Sequence, residues 1–214
     1  MRKLGVGYAA AGWIVLAACG LGFAGQEGVI TLSREGKSEY VILLSDKPTP
    51  VETTAAQELQ THLAEITGAH LPIFAESQAP DGKGRILVGD CRLVRQALAG
   101  LAPARLPPDT IVIKTVGRDL ILTGHPRRGA LYAVFTFLEE HLGVRWWTPT
   151  EATIPRRPTM QVPPLDITYS PKVIDRAVRY LVATSDGVAF SHDHLRPSEQ
   201  RQMGIFAAWL GLNG

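Results

Sequence analysis

Short apolar runs along this chain alternate with longer stretches in which apolar residues recur every third or fourth position. The first run, Tyr40 to Leu44, is partly β-branched and aromatic, and it ends in Ser45-Asp46-Lys47-Pro48. This composition predicts a buried strand that is followed by a turn.

An amphipathic helix is predicted over residues 49–68, TPVETTAAQELQTHLAEITG. Thr49 or Thr53 can cap its first turn, and Gly68 suits the left-handed residue that commonly follows a helix. The glutamates lie mostly off the apolar stripe, so one face of the helix is expected to cover an apolar surface. The stripe consists of Ala55, Ala56, Leu59, Leu63 and Ile66.

A second helix is predicted from Arg127 to Leu142, with Gly143 as its C-cap. The chain then returns to an extended conformation over Val144 to Trp147. The apolar positions of this helix also fall on one face. They are Leu131, Val134, Phe135, Leu138 and Leu142.

The segments between the two helices predict further strands. Leu71 to Phe74 is typical of an edge strand, because the proline within it cannot donate to a central ladder. Arg85 to Gly89 predicts another strand. Thr110–Thr115 and Asp119–Thr123 are close enough to form an antiparallel hairpin, and Arg92 to Leu101 could form a short helix.

Together these elements predict an α/β (α+β) two-layer sandwich, in which a mixed sheet carries both main helices on one face. We expect this domain over residues 30–149. Five prolines between positions 149 and 164 predict a Pro-rich linker over 150–169, or an extended wrap around the domain. Residues 170–214 would begin a second unit that is too short for its own core, so we expect a truncated chain.

Composition excludes several classes of function. Hydrophobic residues are 45% and charged residues 20% of the chain, which is enough apolar material for a packed core. A formal net charge of +2 is too small to indicate a nucleic-acid partner. There is no dinucleotide fingerprint, and Gly82-Lys83-Gly84 lacks the rest of a phosphate-binding loop, so no cofactor is expected.

The first 25 residues, MRKLGVGYAAAGWIVLAACGLGFAG, have the pattern of a secretory signal peptide. Leu16-Ala17-Ala18-Cys19 resembles a bacterial lipobox, in which acylation of the Cys19 thiol would tether the protein to a membrane. Cleavage after Ala24 and an uncleaved anchor helix are the alternatives. We therefore expect an exported protein in the periplasm, at the cell surface or outside the cell.

The second cysteine, Cys91, stands alone after export, because Cys19 is then either lipidated or removed. No internal disulfide can form in that case, and two cysteines cannot build a structural zinc site. The stability of the domain must therefore come from its core, and no metal is expected.

Three short groups of residues could carry chemistry. His192-Asp193-His194 offers two imidazoles to a metal, but without a third ligand a polar loop is the better interpretation. Arg127-Arg128 could bind an anion at a helix start, although a solvated positive pair is expected. Trp146 or Trp147 could stack on a sugar. Strand alternation turns one of the two rings inward, into the core, and we expect the outward ring to pack against a following domain.

The segment from Gly124 to Phe135, GHPRRGALYAVF, together with its helix and Gly143-Val144-Arg145-Trp146, resembles the closing unit of a known accessory domain. That domain precedes the catalytic barrel in bacterial α-glucuronidases, and a similar domain occurs in β-N-acetylhexosaminidases. Ala55 to Gly68 resembles its first helix, and Ile86 to Gly89 resembles its next strand. Ala207 to Gly214 is similar to the first helix and second strand of the α-glucuronidase barrel.

The resemblance implies carbohydrate metabolism, with a (β/α)₈ barrel that begins within residues 170–214 and binds the carbohydrate substrate. The catalytic carboxylates would lie on later barrel strands, so we expect no catalytic residue here and no hydrolysis by this chain alone. Ser170 to Arg176 resembles the hexosaminidase stretch in which an arginine hydrogen-bonds a sugar hydroxyl, which makes Arg176 a substrate-binding candidate. A salt bridge with Asp175 is the alternative.

Two functions stay open at this point. In the first, the chain is the N-terminal part of an exported glycoside hydrolase, and its α/β domain packs on the catalytic domain. In the second, it is a non-catalytic carbohydrate-binding or surface-interaction module of a bacterial lipoprotein.

Overall fold

The computed structural model describes residues 28–148, 151–172, 181–184 and 187–190. The α-helices in these ranges are α1 (Pro50–Thr67), α2 (Arg92–Ala97) and α3 (Gly129–Thr136). The strands are β1 (Ile30–Ser33), β2 (Tyr40–Leu44), β3 (Ile73–Ala75), β4 (Gly84–Val88), β5 (Ile111–Val116), β6 (Asp119–Gly124), β7 (Arg145–Trp146), β8 (Ala152–Thr153), β9 (Met160–Val162), β10 (Asp166–Tyr169), β11 (Leu181–Thr184) and β12 (Gly187–Phe190).

A six-stranded mixed sheet, in the order β10-β5-β6-β4-β2-β3, forms the centre of the domain. Strands β6, β4, β2 and β3 run parallel, whereas β5 is antiparallel to both of its neighbours. The predicted hairpin is β5–β6, and the predicted edge strand is β3. Three short antiparallel pairs, β1–β9, β7–β8 and β11–β12, lie outside this sheet.

Helix α1 begins and ends at the predicted residues. Thr49 is the N-cap and forms a capping box with Glu52, while Gly68 ends the helix at φ +80°. Its apolar stripe is buried in one cluster with residues of α3 and with Ile42, Ile86 and Leu120 of the sheet. The prediction of both main helices on one face of a mixed sheet is confirmed. Each large side chain buried there contributes about 1.5–3 kcal/mol.

Helix α3 differs from the predicted amphipathic helix. All residues from Gly129 to Phe135 are buried, not only one stripe. A π-helical turn, Phe137–His141, then shifts the register of the side chains before Gly143 ends the segment at φ +79°. A helix without a polar side is stable only when it is covered all round, so α3 is a central element of the domain.

The second face of the sheet carries the short helix α2. Its buried cluster contains Val41, Leu43, Leu87 and Ile121 from the sheet together with Cys91 and Val94. The Cys91 thiol is free and fully enclosed, so it packs as a small apolar group. The domain therefore has a partial third layer that the predicted two-layer arrangement did not include.

The proline-rich stretch after residue 150 is part of this domain. Strand β9 pairs with β1, and β10 joins the sheet beside β5. Met160, Val162 and Leu165 are buried in the main cluster, and the Arg157 amide donates to the Ile66 carbonyl at 2.7 Å. Of the two interpretations of residues 150–169, these contacts match the extended wrap. The predicted start of a barrel, 170–214, lies mostly outside the described residues.

Candidate functional site

Strand β10 is the last strand of the central sheet along the described chain. Because β10 is antiparallel to β5 and β5 is antiparallel to β6, β10 ends at the same edge as β6 and its parallel neighbours. Tyr169 pairs with Ile111, which in turn pairs with Gly124. In open α/β sheets, ligands commonly bind outside the carboxyl ends of the strands. We call this edge the exit edge, formed by residues 109–111, 124–128 and 169–170.

A buried ion pair lies at the exit edge. Arg128 donates from Nε and Nη2 to the two carboxylate oxygens of Asp109, at 3.1 and 3.2 Å. The Asp109 side chain is 1% exposed and that of Arg128 is 15% exposed. Asp109 adopts the left-handed φ of +58°, and the Arg128 guanidinium lies 5.7 Å from the Tyr132 ring centre. The expected solvated arginine pair is therefore correct only for the exposed Arg127.

Thr110 joins three elements at the exit edge. Its carbonyl accepts from the His125 amide at 2.9 Å, and its hydroxyl lies 2.8 Å from the Ser170 hydroxyl. Gly124 and Gly129 allow this approach, since a Cβ on either would lie within 2.5 Å of the Thr110 carbonyl oxygen. The start of β5 is thus joined by hydrogen bonds to the ends of β6 and β10.

The two neighbouring tryptophans face opposite ways, as strand alternation predicted. Trp146 is half-buried, stacks on His62 with ring centres 5.6 Å apart, and meets the Phe135 ring edge-on. Trp147 is 65% exposed. Because α3 starts at the exit edge and runs away from it, β7 and both rings lie near its far end.

Two open clefts border the domain, with volumes of about 710 and 660 Å³. In the larger cleft, Glu35 is exposed and Glu39 pairs with Lys83. In the smaller cleft, Asp119 pairs with Arg85. The hydrogen bond to Asp119 raises the pKa of the Arg85 guanidinium.

Glu52 has a role that the helical pattern alone did not show. Its carboxylate accepts from the Thr49 amide at 2.8 Å and from the Asp90 amide at 2.7 Å, and the residue is 7% exposed. It therefore joins the start of α1 to the end of β4. The signal available in the sequence was the spacing Thr49-Pro50-Val51-Glu52, which matches a capping box.

The remaining candidates lie outside the described residues. These are Arg176, proposed to bind substrate, Cys19, proposed to be lipidated, and the imidazoles of His192-Asp193-His194. Within the described ranges, His, Cys, Asp and Glu residues form no group of three that could hold a metal ion. No helix in the same ranges is long and apolar enough to cross a membrane.

A mixed sheet with two helices on one face defines the class of this domain, an α/β two-layer domain. Residues 32–137 match the model of the glycosyl hydrolase family 67 N-terminus. A probable α-glucuronidase A of Aspergillus fumigatus is 30% identical over 122 residues, which are 56% of this chain and 14% of that protein. The α/β domain is an N-terminal domain of the glycoside-hydrolase type.

Solved structures of two glycoside hydrolases have a similar fold. A family 115 4-O-methyl-α-glucuronidase with specificity for decorated arabinogalactans matches with a TM-score of 0.62 at 18% identity, over 86% of this chain and 25% of that chain. The chitobiase of Flavobacterium johnsoniae matches with a TM-score of 0.51 at 11% identity, over 87% and 25% of the two chains. This chain thus spans a quarter or less of each of these relatives.

Proposed function

We propose that this chain is the N-terminal part of an exported glycoside hydrolase of the α-glucuronidase or hexosaminidase type, active in polysaccharide metabolism. The observation that carries the proposal is the match of residues 32–137 to the glycosyl hydrolase family 67 N-terminus. The α/β domain supports a catalytic domain that follows it. The rigid exit edge suits this role, because three strand ends hold the departing chain at Ser170.

Catalysis belongs to the part of the protein that follows this domain. Glycoside hydrolysis uses one carboxylic acid to protonate the leaving oxygen and a second carboxylate as base or nucleophile. The buried carboxylates of the described domain already have structural partners, as Asp109 has in Arg128 and Glu52 has in two backbone amides. This chain alone is therefore expected to release no sugar from a glycoside.

Arg176 is the substrate-binding residue in this proposal. An arginine at the end of the first barrel strand can donate several hydrogen bonds to a sugar hydroxyl. Arg176→Lys in the complete enzyme should raise KM more than it lowers kcat. An unchanged KM would assign Arg176 to a salt bridge with Asp175.

Export also belongs to the proposal, and its support is the signal-peptide pattern of residues 1–25 with Cys19 in a lipobox-like context. Expression in a bacterial host should give a mature protein that begins at an acylated Cys19. Intact-mass measurement separates this product from one that begins at Gly25, and Cys19→Ala should abolish acylation. A product that retains Met1 would contradict cleavage of a signal peptide.

The test of the whole proposal begins with the coding sequence after codon 214. It should continue into barrel strands with paired acidic residues, and the complete protein should hydrolyse an aryl α-glucuronide or an aryl N-acetyl-β-hexosaminide. A stop codon at that point, with a folded product that retains a polysaccharide, would favour the carbohydrate-binding module instead.

A further inference from the structure

The two-stranded ribbon β7–β8 displays a polar face with one aromatic ring at its centre. Arg145 pairs with Thr153 and Trp146 pairs with Ala152, while the Trp147 amide continues the ladder to the Glu151 carbonyl at 2.9 Å. Strand alternation places Arg145, Trp147, Glu151 and Thr153 on the face opposite Trp146. We call this set the ribbon face.

The Trp147 ring is exposed and yet fixed in orientation. The side chain is 65% exposed, while its Nε1 donates to the Thr153 hydroxyl at 2.9 Å. Indole presents a broad apolar face, and the hydrogen bond at its edge lowers the entropy that a ligand would have to remove. The ribbon face thus holds a ready platform for a flat, partly apolar ligand.

Polar groups on both sides of the ring can donate and accept hydrogen bonds. Arg145 uses Nη1 for the carbonyls of Glu139 and Val144, at 2.9 and 3.0 Å. Its Nε and Nη2 have no partner among the described residues, and this edge of a guanidinium binds two oxygens side by side. The exposed Glu151, directly across from Trp147, supplies an acceptor.

From this arrangement we propose that the ribbon face is a binding subsite for a neutral pyranose unit of a polysaccharide. The sugar ring stacks on Trp147, two neighbouring hydroxyls accept from Arg145, and another hydroxyl donates to Glu151. Glu139 pairs with Arg145, and the exposed Glu151 carboxylate lies on the ribbon face, so an acidic sugar is disfavoured.

Affinity electrophoresis of the 214-residue chain tests this subsite, with soluble xylan, arabinogalactan and hydroxyethylcellulose as probes. At least one neutral polysaccharide should retard the chain. Trp147→Ala should lower the association constant at least tenfold, and Arg145→Gln should lower it severalfold. Tyr169→Ala removes another exposed aromatic ring and should leave retardation unchanged.

Thermal unfolding of Trp147→Ala and Tyr169→Ala should match the parent chain, because both side chains are largely exposed. Arg145→Gln loses the bonds to the Glu139 and Val144 carbonyls and should lower the melting temperature slightly. Retardation by none of the probes, or retardation that survives Trp147→Ala, would overturn the subsite. The subsite would also be overturned by two results obtained together in a longer form of the natural protein. These are that no polysaccharide retards that protein, and that Trp147→Ala weakens the contact between its domains. None of these results bears on the proposed hydrolase, whose test is the coding sequence and the glycosidase assay.

Discussion

At the scale of the residue, the Asp109–Arg128 pair is the contact on which the exit edge depends most. Arg128→Met leaves a carboxylate that is 1% exposed without its cation. Breaking a buried pair in this way costs about 3–5 kcal/mol. Urea unfolding should show that loss, whereas Arg127→Met, at the exposed neighbouring position, should change the free energy of unfolding by less than about 0.5 kcal/mol.

The double variant Asp109→Asn with Arg128→Met isolates the unpaired charge as the cause. Asn tolerates the left-handed φ of Asp109 and carries no charge, so the double variant should be more stable than Arg128→Met alone. If the double variant lost as much stability as Arg128→Met, or the sum of the losses of the two single variants, the ion pair would contribute nothing specific to the free energy of unfolding.

Titration of Cys91 should lower the free energy of unfolding at alkaline pH. Burial raises the pKa of its thiol above the ordinary value of 9.0, so the unfolded chain loses that proton first. The stabilising contribution is complete below pH 9.0 and is lost as pH rises towards the folded pKa. Burial also raises the pKa of Tyr40 above 10.0, which adds a second decline at higher pH.

Urea unfolding between pH 7.5 and 10.5 measures this effect. Cys91→Ala should lower stability at every pH because it leaves a cavity, but it should flatten the decline that begins near pH 9. An unchanged slope in the variant would show that the thiol is not the titrating group.

Single residues were predictable where their effect is local. Gly68 and Gly143 end helices because a left-handed residue is needed there, and alternation alone separated Trp146 from Trp147. The partner of Arg128 was not predictable, because Asp109 precedes it by 19 positions and the two meet only when β5 and β6 pair.

At the scale of the element, Glu52 shows how one side chain can both begin a helix and position the next strand. Glu52→Ala removes the acceptor for the amides of Thr49 and Asp90. Hydrogen bonds to a charged group contribute about 1.5–3 kcal/mol each, so the total loss should exceed the roughly 1 kcal/mol expected for Thr49→Ala. Denaturant unfolding provides the comparison.

Glu65 is the matched control for this prediction, because it is an exposed glutamate on the same helix. Glu65→Ala should be close to neutral. A loss for Glu52→Ala no greater than that for Thr49→Ala would restrict Glu52 to helix capping.

The sequence predicted the type and order of most elements, but not how completely α3 is covered. Periodicity identifies an apolar stripe, and in α3 the remaining positions are small or aromatic residues that can also be buried, such as Ala130 and Tyr132. Strand β9 was hidden by prolines, which normally exclude central strands. It fits here because the prolines lie outside its paired residues.

At the scale of the whole molecule, residues 151–172 complete the domain. Removing them exposes the partners of Met160, Val162 and Leu165, each of which contributes about 1.5–3 kcal/mol by burial. That sum is comparable with the entire stability of an ordinary domain, about 5–15 kcal/mol. A segment of residues 28–172 should therefore unfold cooperatively on heating, and a segment of residues 28–150 should not. Circular dichroism would contradict this if both segments melted alike.

We infer that this α/β domain supports a glycoside hydrolase domain that follows it. The most direct measurement is to express the part of the natural protein after residue 172 alone and together with residues 28–172, and to compare solubility and glycosidase activity. The account predicts a soluble, active enzyme only when the α/β domain is present. An equally soluble and active enzyme without that domain would contradict it.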